Sequence, residues 1–393
     1  MMEDLVQRLQ NKEKRMIDIR RHLHEHPELS FHETETPKYI ADFYKNKECK
    51  VETNIGQNGV KVTIDSGKPG KTIAIRADFD ALPIQEDTSL SFASKNDGVM
   101  HACGHDAHIA YMLILAETLI EMKQQFNGKV IIIHQPAEEM PPSGAKGMIE
   151  DGVLDGVDYV LGTHVMTNMD PGKVYYRKGN VQTGRSYFKL VVKGEGGHGF
   201  SPHTANDAIV AGANFVTTAQ TVVSRRLSPF ETGVVTIGSF DGKGQFNVIK
   251  DKITIEGDVR ALTDDTRDRI ETALKQMVNG LEETFGVNCE FTFSKDYPAL
   301  YNDPDFTEYV AKTIKQAKLD DVKGVEVCEP QSPSEDFAFY AKTLPSTFIY
   351  SGAKPREGKA YPHHHPKFTI DESSMLVAAE AVGAVVLNYL TIE

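Results

Sequence analysis

The sequence predicts a two-domain α/β protein, in which a mainly parallel-sheet domain sandwiched by helices is interrupted by a smaller ferredoxin-like α+β domain. The chain has 393 residues, more than the ~100–200 that one domain usually holds. Strand-like and helical stretches alternate over residues 1–182, a pattern typical of parallel sheets covered by helices. Strands within residues 183–297 instead alternate polar and apolar side chains, which indicates an antiparallel sheet with one face in water.

Residues 1–182 are predicted to form the first part of the larger domain. Apolar residues at helical spacing predict helices over residues 3–25 and 36–44. An almost wholly apolar stretch predicts a long buried helix over residues 106–122. Runs of β-branched residues predict strands, at residues 60–65, 71–78, 129–135 and 158–165.

Residues 183–297 are predicted to form the smaller domain, because their patterns follow the order β-α-β-β-α-β. Residues 298–393 should then complete the larger domain. Their patterns predict two helices, one strand and a closing apolar helix that begins near residue 371.

Charge and composition exclude several classes of function. The formal net charge of −13 leaves no basic surplus to neutralise phosphates, which argues against a nucleic-acid binder. The sequence contains no run of ~18 consecutive apolar residues, so no membrane span is predicted. Residues 1–5 lack the apolar core of a signal peptide. The four cysteines are scattered, unlike a secreted disulfide framework. We therefore expect a cytoplasmic protein without nucleic-acid or membrane partners.

Side chains that can bind metals cluster where predicted strands end. They are Cys103 and His105 in the stretch HACGHD (101–106), the pair Glu138 and Glu139, His164, and the histidine triplet at 363–365. Ligands of α/β sheets bind beyond the carboxyl ends of the strands. Glu138 follows the predicted strand 129–135 and His164 closes 158–165, so both are expected at that edge.

Thiolate, imidazole and carboxylate ligands together suit zinc or a neighbouring transition metal. Five such ligands exceed one tetrahedral site and indicate two ions. The adjacent carboxylates at 138–139 are the sharper clue, because one can bind metal while the other acts as a general base towards a metal-activated water. Asp78, Asp80 and Asp106 would orient the imidazoles.

Each cluster taken singly has a simpler explanation. His164 alone would fit an ordinary strand end, the paired glutamates a solvated turn, and the triplet a surface loop. Their convergence on strand ends favours a functional site. The stretch GEGGHG (194–199) matches a dinucleotide-binding fingerprint, but Ser201 and Pro202 precede the next helix and the sheet there is expected to be antiparallel, so we reject that function.

Together these residues resemble the dinuclear metallo-amidohydrolases that include hippurate hydrolase, aminoacylases and indole-acetyl-amino-acid hydrolases, relatives of carboxypeptidase G. The resemblance covers nearly the whole chain, in order. Its motifs are RHLH (21–24), PEL (27–29), RADFDALP (76–83), HACGHD (101–106), QPAEE (135–139), GTH (162–164), GGH (196–198) and HHP (364–366). The chain departs from the family pattern with MPPS at 140–143 in place of a glycine-rich turn, and with His363 and Thr163 in place of leucines.

The resemblance implies a role for each matching residue. Two divalent ions (Zn, Mn, Co or Ni) would be held, with Cys103 as the shared ligand, by Cys103, His105, Glu139, His164 and His364. Glu138 would be the general base and proton shuttle. The smaller domain would be a lid that also forms a homodimer or a higher oligomer.

Three residues of that lid would meet the substrate. His198 would polarise the substrate carbonyl, from its own or the partner subunit. Asn247 and Arg260 would hold the carboxylate end of the substrate. Arg260 fits a strand face paired with Glu256 and Asp258 equally well.

The leading prediction is therefore hydrolysis of the amide bond in N-acyl-L-amino acids of the hippurate or N-acetyl type, by a dinuclear metal-bound hydroxide with Glu138 as base. A dipeptidase or aminopeptidase would use the same chemistry on short peptides. A thiol hydrolase with Cys103 as nucleophile would leave the paired glutamates without a role. A non-catalytic metal-dependent binding protein would result if residues 140–143 closed the site.

Overall fold

The structure, a computed structural model, describes residues 1–391. Its contacts divide the chain into two compact units. Unit 1 comprises Met1–Gly179, Tyr301–Glu329 and residues 336–391, and unit 2 comprises Asn180–Leu300 and Pro330–Glu335. Sequence patterns place the interruption at residues 183–297 and assign residues 330–335 to the larger domain, whereas in the structure this short segment groups with unit 2.

Helices make up much of unit 1 and one layer of unit 2. Over residues 1–391 the α-helices are α1 (Met2–Asn11), α2 (Glu13–Glu25), α3 (Glu35–Phe43), α4 (His105–Glu121), α5 (Gly144–Glu150), α6 (Ala208–Thr221), α7 (Asp264–Phe285), α8 (Pro304–Ala317), α9 (Ala338–Thr343) and α10 (Ser374–Thr391). The single helix predicted over residues 3–25 is two helices, because the backbone leaves the helical region at Lys12, with φ −106° and ψ 3°.

Strands are distributed over both units. Over residues 1–391 they are β1 (Lys50–Ile55), β2 (Gly59–Asp65), β3 (Thr72–Asp78), β4 (Lys129–Gln135), β5 (Tyr159–Met166), β6 (Lys173–Tyr176), β7 (Gly179–Gln182), β8 (Gly184–Lys193), β9 (Gly197–His198), β10 (Gly233–Asp241), β11 (Val248–Ile249), β12 (Lys252–Ala261), β13 (Asn288–Tyr297), β14 (Leu300–Asn302), β15 (Gly324–Val327) and β16 (Ser346–Gly352).

Unit 1 is built on one large sheet with the strand order β1-β2-β4-β3-β5-β16-β6-β15. The central strands β4, β3, β5 and β16 run parallel to one another, and β15 runs parallel to β6. The pairs β1–β2, β2–β4 and β16–β6 are antiparallel. The predicted α/β class with a mainly parallel sheet is confirmed.

The core of unit 1 lies between this sheet and two apolar helices, α4 and α10. Among residues 1–391, α10 is the one helix long and apolar enough to cross a bilayer, but 89% of it is buried inside the protein. A core helix passes the same test of length and composition as a membrane span, and this burial accounts for its apolar character.

Unit 2 contains a four-stranded sheet with the order β10-β12-β8-β13, in which neighbouring strands are antiparallel. Its apolar core includes side chains from this sheet and from α6 and α7. The chain order β8-α6-β10-β12-α7-β13 is the order that the sequence pattern indicates. Burial alternates strictly along β12, because its side chains point in turn to the core and to solvent.

Candidate metal centre

The carboxyl ends of three parallel strands bring the predicted metal-binding residues of unit 1 together. β3 ends at Asp78, β4 ends at Gln135 just before the paired glutamates, and β5 ends at Met166 just after His164. These strands run parallel, so their ends share one edge of the sheet. The start of α4 supplies Cys103 and His105 to the same edge.

Gly104 lets the chain turn sharply between these two residues. Its φ of 94° lies in the left-handed region, and a Cβ here would stand 2.5 Å from Cγ2 of Val165. Glycine is the residue that tolerates both the conformation and the close approach. The turn allows Cys103, before the helix, and His105, its first residue, to present their ligand atoms to one point.

Two groups of ligand atoms share the thiol of Cys103. One contains Cys103, His105 and His164, and the other contains Cys103, Glu139 and His364, with the atoms of each group within 4.8 Å of one another. Sγ of Cys103 lies 3.5 Å from Nε2 of His164, and Nε2 of His364 lies 3.1 Å from Oε1 of Glu139. A thiol common to two groups is the arrangement expected of a shared ligand.

Hydrogen bonds fix which imidazole nitrogen is free to bind a cation. Nδ1 of His105 donates to the backbone oxygen and to Oδ1 of Asp80, at 3.0 and 3.1 Å. Its Nε2 is buried and has no hydrogen-bond partner within residues 1–391. Nδ1 of His164 donates to the backbone oxygen of Val165 at 2.7 Å, which leaves Nε2 facing Cys103. Metal-binding histidines are typically held in this way.

The site carries strong negative charge. Burial opposes protonation of His105, but Asp78 and Asp80 outweigh it and raise its pKa to about 10. Burial, followed by the charges of Glu139 and Glu138, raises the pKa of the Cys103 thiol well above its usual range. Divalent cations would offset this charge and take the thiolate as a ligand. The residues present therefore fit two transition-metal ions.

The two adjacent glutamates have different surroundings. Oε1 of Glu139 stands near the imidazoles of His364 and His105, at 3.1 and 3.9 Å. The side chain of Glu138 is 5% exposed, and its Oε1 accepts a hydrogen bond of 3.4 Å from the backbone N–H of Asp336. Glu138 also belongs to a group with His105 and Glu139 whose ligand atoms lie within 4.8 Å.

The three aspartates expected to orient imidazoles each contact one. Asp80 holds the predicted ligand His105. Asp78 accepts from Nδ1 of His108 at 2.5 Å, and Asp106 lies against His24 at 2.9 Å. Of these acids, only Asp80 holds a predicted ligand through a hydrogen bond. Asp78 also lies 3.7 Å from Nε2 of His105.

One imidazole at the site is missed by sequence reasoning. His363 is the residue that departs from the family's leucine, and its Nδ1 lies 3.7 Å from Sγ and 3.2 Å from the backbone oxygen of Cys103. Thr167 donates its N–H to the other ring nitrogen at 3.4 Å. Burial lowers the pKa of His363 to about 3, so the ring is neutral and donates through Nδ1. The histidine triplet at 363–365 indicated that this segment belongs to the site, but the family pattern assigned the ligand role to His364 alone.

The three remaining predicted residues lie in unit 2. His198 is exposed on β9, which pairs with β11, and the N–H of Gly199 donates to the backbone oxygen of Asn247 at 2.9 Å. His198 and Asn247 are therefore neighbours where β9 pairs with β11. Arg260 donates to Asp258 at 2.8 Å and to Oγ of Ser334 at 3.2 Å. Glu256 instead accepts from the Tyr187 hydroxyl.

The chain matches known proteins over nearly its whole length. The model of peptidase family M20/M25/M40 matches residues 74–388. An N-acetyl-L-cysteine deacetylase from Bacillus subtilis is 36% identical, over 94% of this chain and 87% of the relative. The matched range includes every predicted metal ligand from Cys103 to His364.

Solved structures share the fold. A crystal structure from methicillin-resistant Staphylococcus aureus is 70% identical with a TM-score of 0.97, and each chain is covered to 100%. The YXEP protein of Bacillus subtilis, described as a dinuclear metal-binding peptidase of the M20 family, is 33% identical with a TM-score of 0.84. That match covers 98% of this chain and 100% of the other.

Proposed function

This chain belongs to peptidase family M20/M25/M40, and from that premise we propose that it hydrolyses the amide bond of N-acyl-L-amino acids with Glu138 as general base. It is a hydrolase of the amidohydrolase and peptidase type, acting on N-acyl amino acids or peptides. The preference for N-acyl amino acids over peptides and the role of Glu138 are the parts that we propose.

The contrast between the adjacent glutamates supports this function most directly. Glu139 faces two imidazoles, as a metal ligand would. Glu138 faces a backbone N–H from a different segment of the chain. Two carboxylates in different environments can divide the work, one binding cations and the other moving protons.

Two divalent cations, when bound, supply Lewis-acid chemistry, since they lower the pKa of a water molecule and polarise a carbonyl oxygen. The ligands to hold them are Cys103, His105, Glu139, His164 and His364. Glu138 takes a proton from the attacking water at its carboxylate and then delivers it to the nitrogen of the leaving amine. The N–H of Asp336 limits the positions that the Glu138 carboxylate can take.

Unit 2 contributes the remaining groups in this proposal. His198 donates to the carbonyl oxygen as negative charge develops on it, which is the role of an oxyanion-binding group. Arg260 and Asn247 hold the carboxylate of the amino-acid half by charge and hydrogen bonding. The exposure of His198 and Asn247 leaves both side chains accessible for such contacts.

A peptidase acting on short peptides is the second candidate, favoured by the similarity to a dinuclear metal-binding peptidase. A thiol hydrolase is disfavoured, because nucleophilic cysteines depend on a lowered pKa. Burial and the neighbouring carboxylates raise the pKa of Cys103 instead.

A hydrolysis screen distinguishes these functions. N-acetyl- and N-benzoyl-amino acids and dipeptides would be incubated with protein loaded with zinc, manganese, cobalt or nickel, and with chelated protein as the control. We expect turnover of the acylated amino acids by the metal-loaded protein alone. Preference for dipeptides would support the second candidate, and bound metal without turnover of any substrate would leave a metal-dependent binding protein.

A further inference from the structure

The paired glutamates lie on a turn at residues 135–145. Three buried carboxylates from other segments of unit 1 hold this turn. Its backbone N–H groups at Ala137, Glu139 and Ala145 each donate to an acid from elsewhere in unit 1. The acceptors are Glu33 at 2.9 Å, Asp80 at 3.0 Å and Asp336 at 3.3 Å, respectively. Each of these acids is at most 1% exposed, and hydrogen bonds are electrostatically stronger in a protein interior than in water.

Asp336 contacts both ends of this turn. Gln135, at its start, donates to both carboxylate oxygens at 2.9 and 2.7 Å. Ser143, at its end, donates through its hydroxyl at 2.7 Å. Arg76 donates to the same carboxylate at 2.6 Å and to Asp78 at 2.6 Å, so one guanidinium links both buried acids.

The turn needs such support because its backbone is not in a preferred conformation. Ala137 and Ser143 have φ values of 49° and 89°, in the region that side chains other than glycine rarely adopt. Gly144 is confined as well, since a Cβ there would lie 1.9 Å from the backbone oxygen of Pro136. Conformations of this kind persist only where surrounding bonds hold them.

Asp336 also reaches the base itself, through the hydrogen bond from its N–H to Oε1 of Glu138. We propose that Asp336 is a positioning residue, whose carboxylate fixes the 135–145 turn while its N–H fixes the orientation of Glu138. This inference rests on the proposed role of Glu138 as base. Asp336 lies in neither of the two groups that share Cys103, and the backbone N–H of the predicted ligand Glu139 is held by Asp80 rather than by Asp336. The effect of Asp336 should therefore be on proton transfer rather than on metal content.

The kinetic test compares Asp336→Asn with the wild type. We expect kcat to fall ~10–100-fold while KM changes by less than ~2-fold, because a misplaced catalytic group costs rate more than binding. Bound metal per chain should be unchanged. In a Glu138→Gln background the same substitution should have little further effect, because residues that act through one another are not additive.

A second measurement needs neither metal nor turnover. Hydrogen–deuterium exchange of the metal-free protein should be ~10-fold faster in the 136–146 segment of Asp336→Asn than in the wild type. Ser143→Ala removes one hydrogen bond to Asp336 and keeps the others, so its exchange rate in this segment should rise by less. This variant remains informative if Asp336→Asn does not fold. Asp303→Ala is the matched control, because it removes the N-terminal cap of α8 and leaves the turn intact.

Unchanged exchange in the 136–146 segment of both variants would overturn the proposal, as would a rise in KM at constant kcat. Equal loss of rate in the wild-type and Glu138→Gln backgrounds would also overturn it. If the wild-type protein hydrolyses no substrate of the panel, the proposed function fails, and the exchange measurement alone decides whether Asp336 holds the turn.

Discussion

Two buried imidazoles show how single residues take their chemistry from their neighbours. Burial alone lowers the pKa of His134 to about 3. His105 is equally buried, yet Asp78 and Asp80 reverse the effect of burial and raise its pKa to about 10. The acidic surroundings of His105 mark it as a site for positive charge, which a cation would supply in place of a proton.

Glu380 of α10 offers a pH test at the scale of one residue. Its side chain is fully buried, and its carboxylate lies beside Asp321. Burial, followed by the charge of Asp321, raises its pKa from 4.5 to about 8. The folded chain therefore keeps a proton that the unfolded chain releases, and wild-type stability falls as the pH rises through this window.

Glu380→Gln should remove this loss of stability at higher pH. We expect a gain in the free energy of unfolding that is small near pH 5 and reaches a few kcal/mol near pH 8, since one pKa unit corresponds to ~1.4 kcal/mol. Urea unfolding at both pH values measures it. Glu308→Gln, at an exposed acid of α8 paired with Lys178, is the control. A gain independent of pH would contradict the protonated state of Glu380.

Part of the candidate site could be found from the sequence because it consists of short-range signals, whereas the ligand roles of His164 and His364 came from the family resemblance. Cys103 and His105 are two residues apart, and Glu138 and Glu139 are adjacent. Asp336 gave no such signal, because its partners Gln135 and Ser143 are 201 and 193 residues away. His363 is buried against Cys103 across 260 residues of chain, a contact that only the fold reveals.

The N-terminus of α4 sets the geometry of the site at the scale of an element. Replacing Gly104 by alanine would impose a positive φ on a residue with a Cβ and push that Cβ into Val165. We expect Gly104→Ala to lower bound metal and Tm together, because Cys103 and His105 flank the strained position. Metal analysis and thermal unfolding measure the two effects.

Gly98→Ala is the matched control, because Gly98 has φ 76° but a Cβ added there would meet no atom within 4 Å. Gly98→Ala therefore introduces backbone strain without steric crowding. Such strain costs ~1–2 kcal/mol per residue. It should lose some stability and retain its metal. Equal metal content in the two variants would show that α4 does not set the ligand geometry.

Long, strongly patterned elements were predictable, whereas short or partly exposed strands at or next to the edges of the large sheet were not. The apolar run at 106–122 and the β-branched run at 129–135 correspond to α4 and β4. β1, β6 and β15 escaped prediction. β1 and β15 contain no fully buried residue, and β6 and β15 have four residues each. Their place in the sheet depends on pairing with distant strands rather than on local pattern.

At the scale of the whole molecule, the predicted ligands come from distant segments of unit 1 alone. Metal binding should therefore stabilise that unit by linking segments around residues 103, 139, 164 and 364. The return of α/β character after residue 298 predicted the interruption of the larger domain. The grouping of Pro330–Glu335 with unit 2 left no pattern in the sequence.

Chelation tests this division. Removal of metal should speed hydrogen–deuterium exchange in the four ligand-bearing segments of unit 1. The central strands β8 and β12 of unit 2, which contain no predicted ligand, should exchange as before. Readdition of metal is the control for reversible loss. Equal acceleration in both units would contradict a metal centre confined to unit 1.

The most direct measurement determines bound metal and turnover side by side for Glu138→Gln and Glu139→Gln. We expect Glu138→Gln to retain its metal while turnover of N-acyl amino acids falls ~10²–10⁴-fold, the usual contribution of a general base. Glu139→Gln should lose bound metal as well as activity. Near wild-type turnover by metal-replete Glu138→Gln would contradict the assignment of Glu138 as the base.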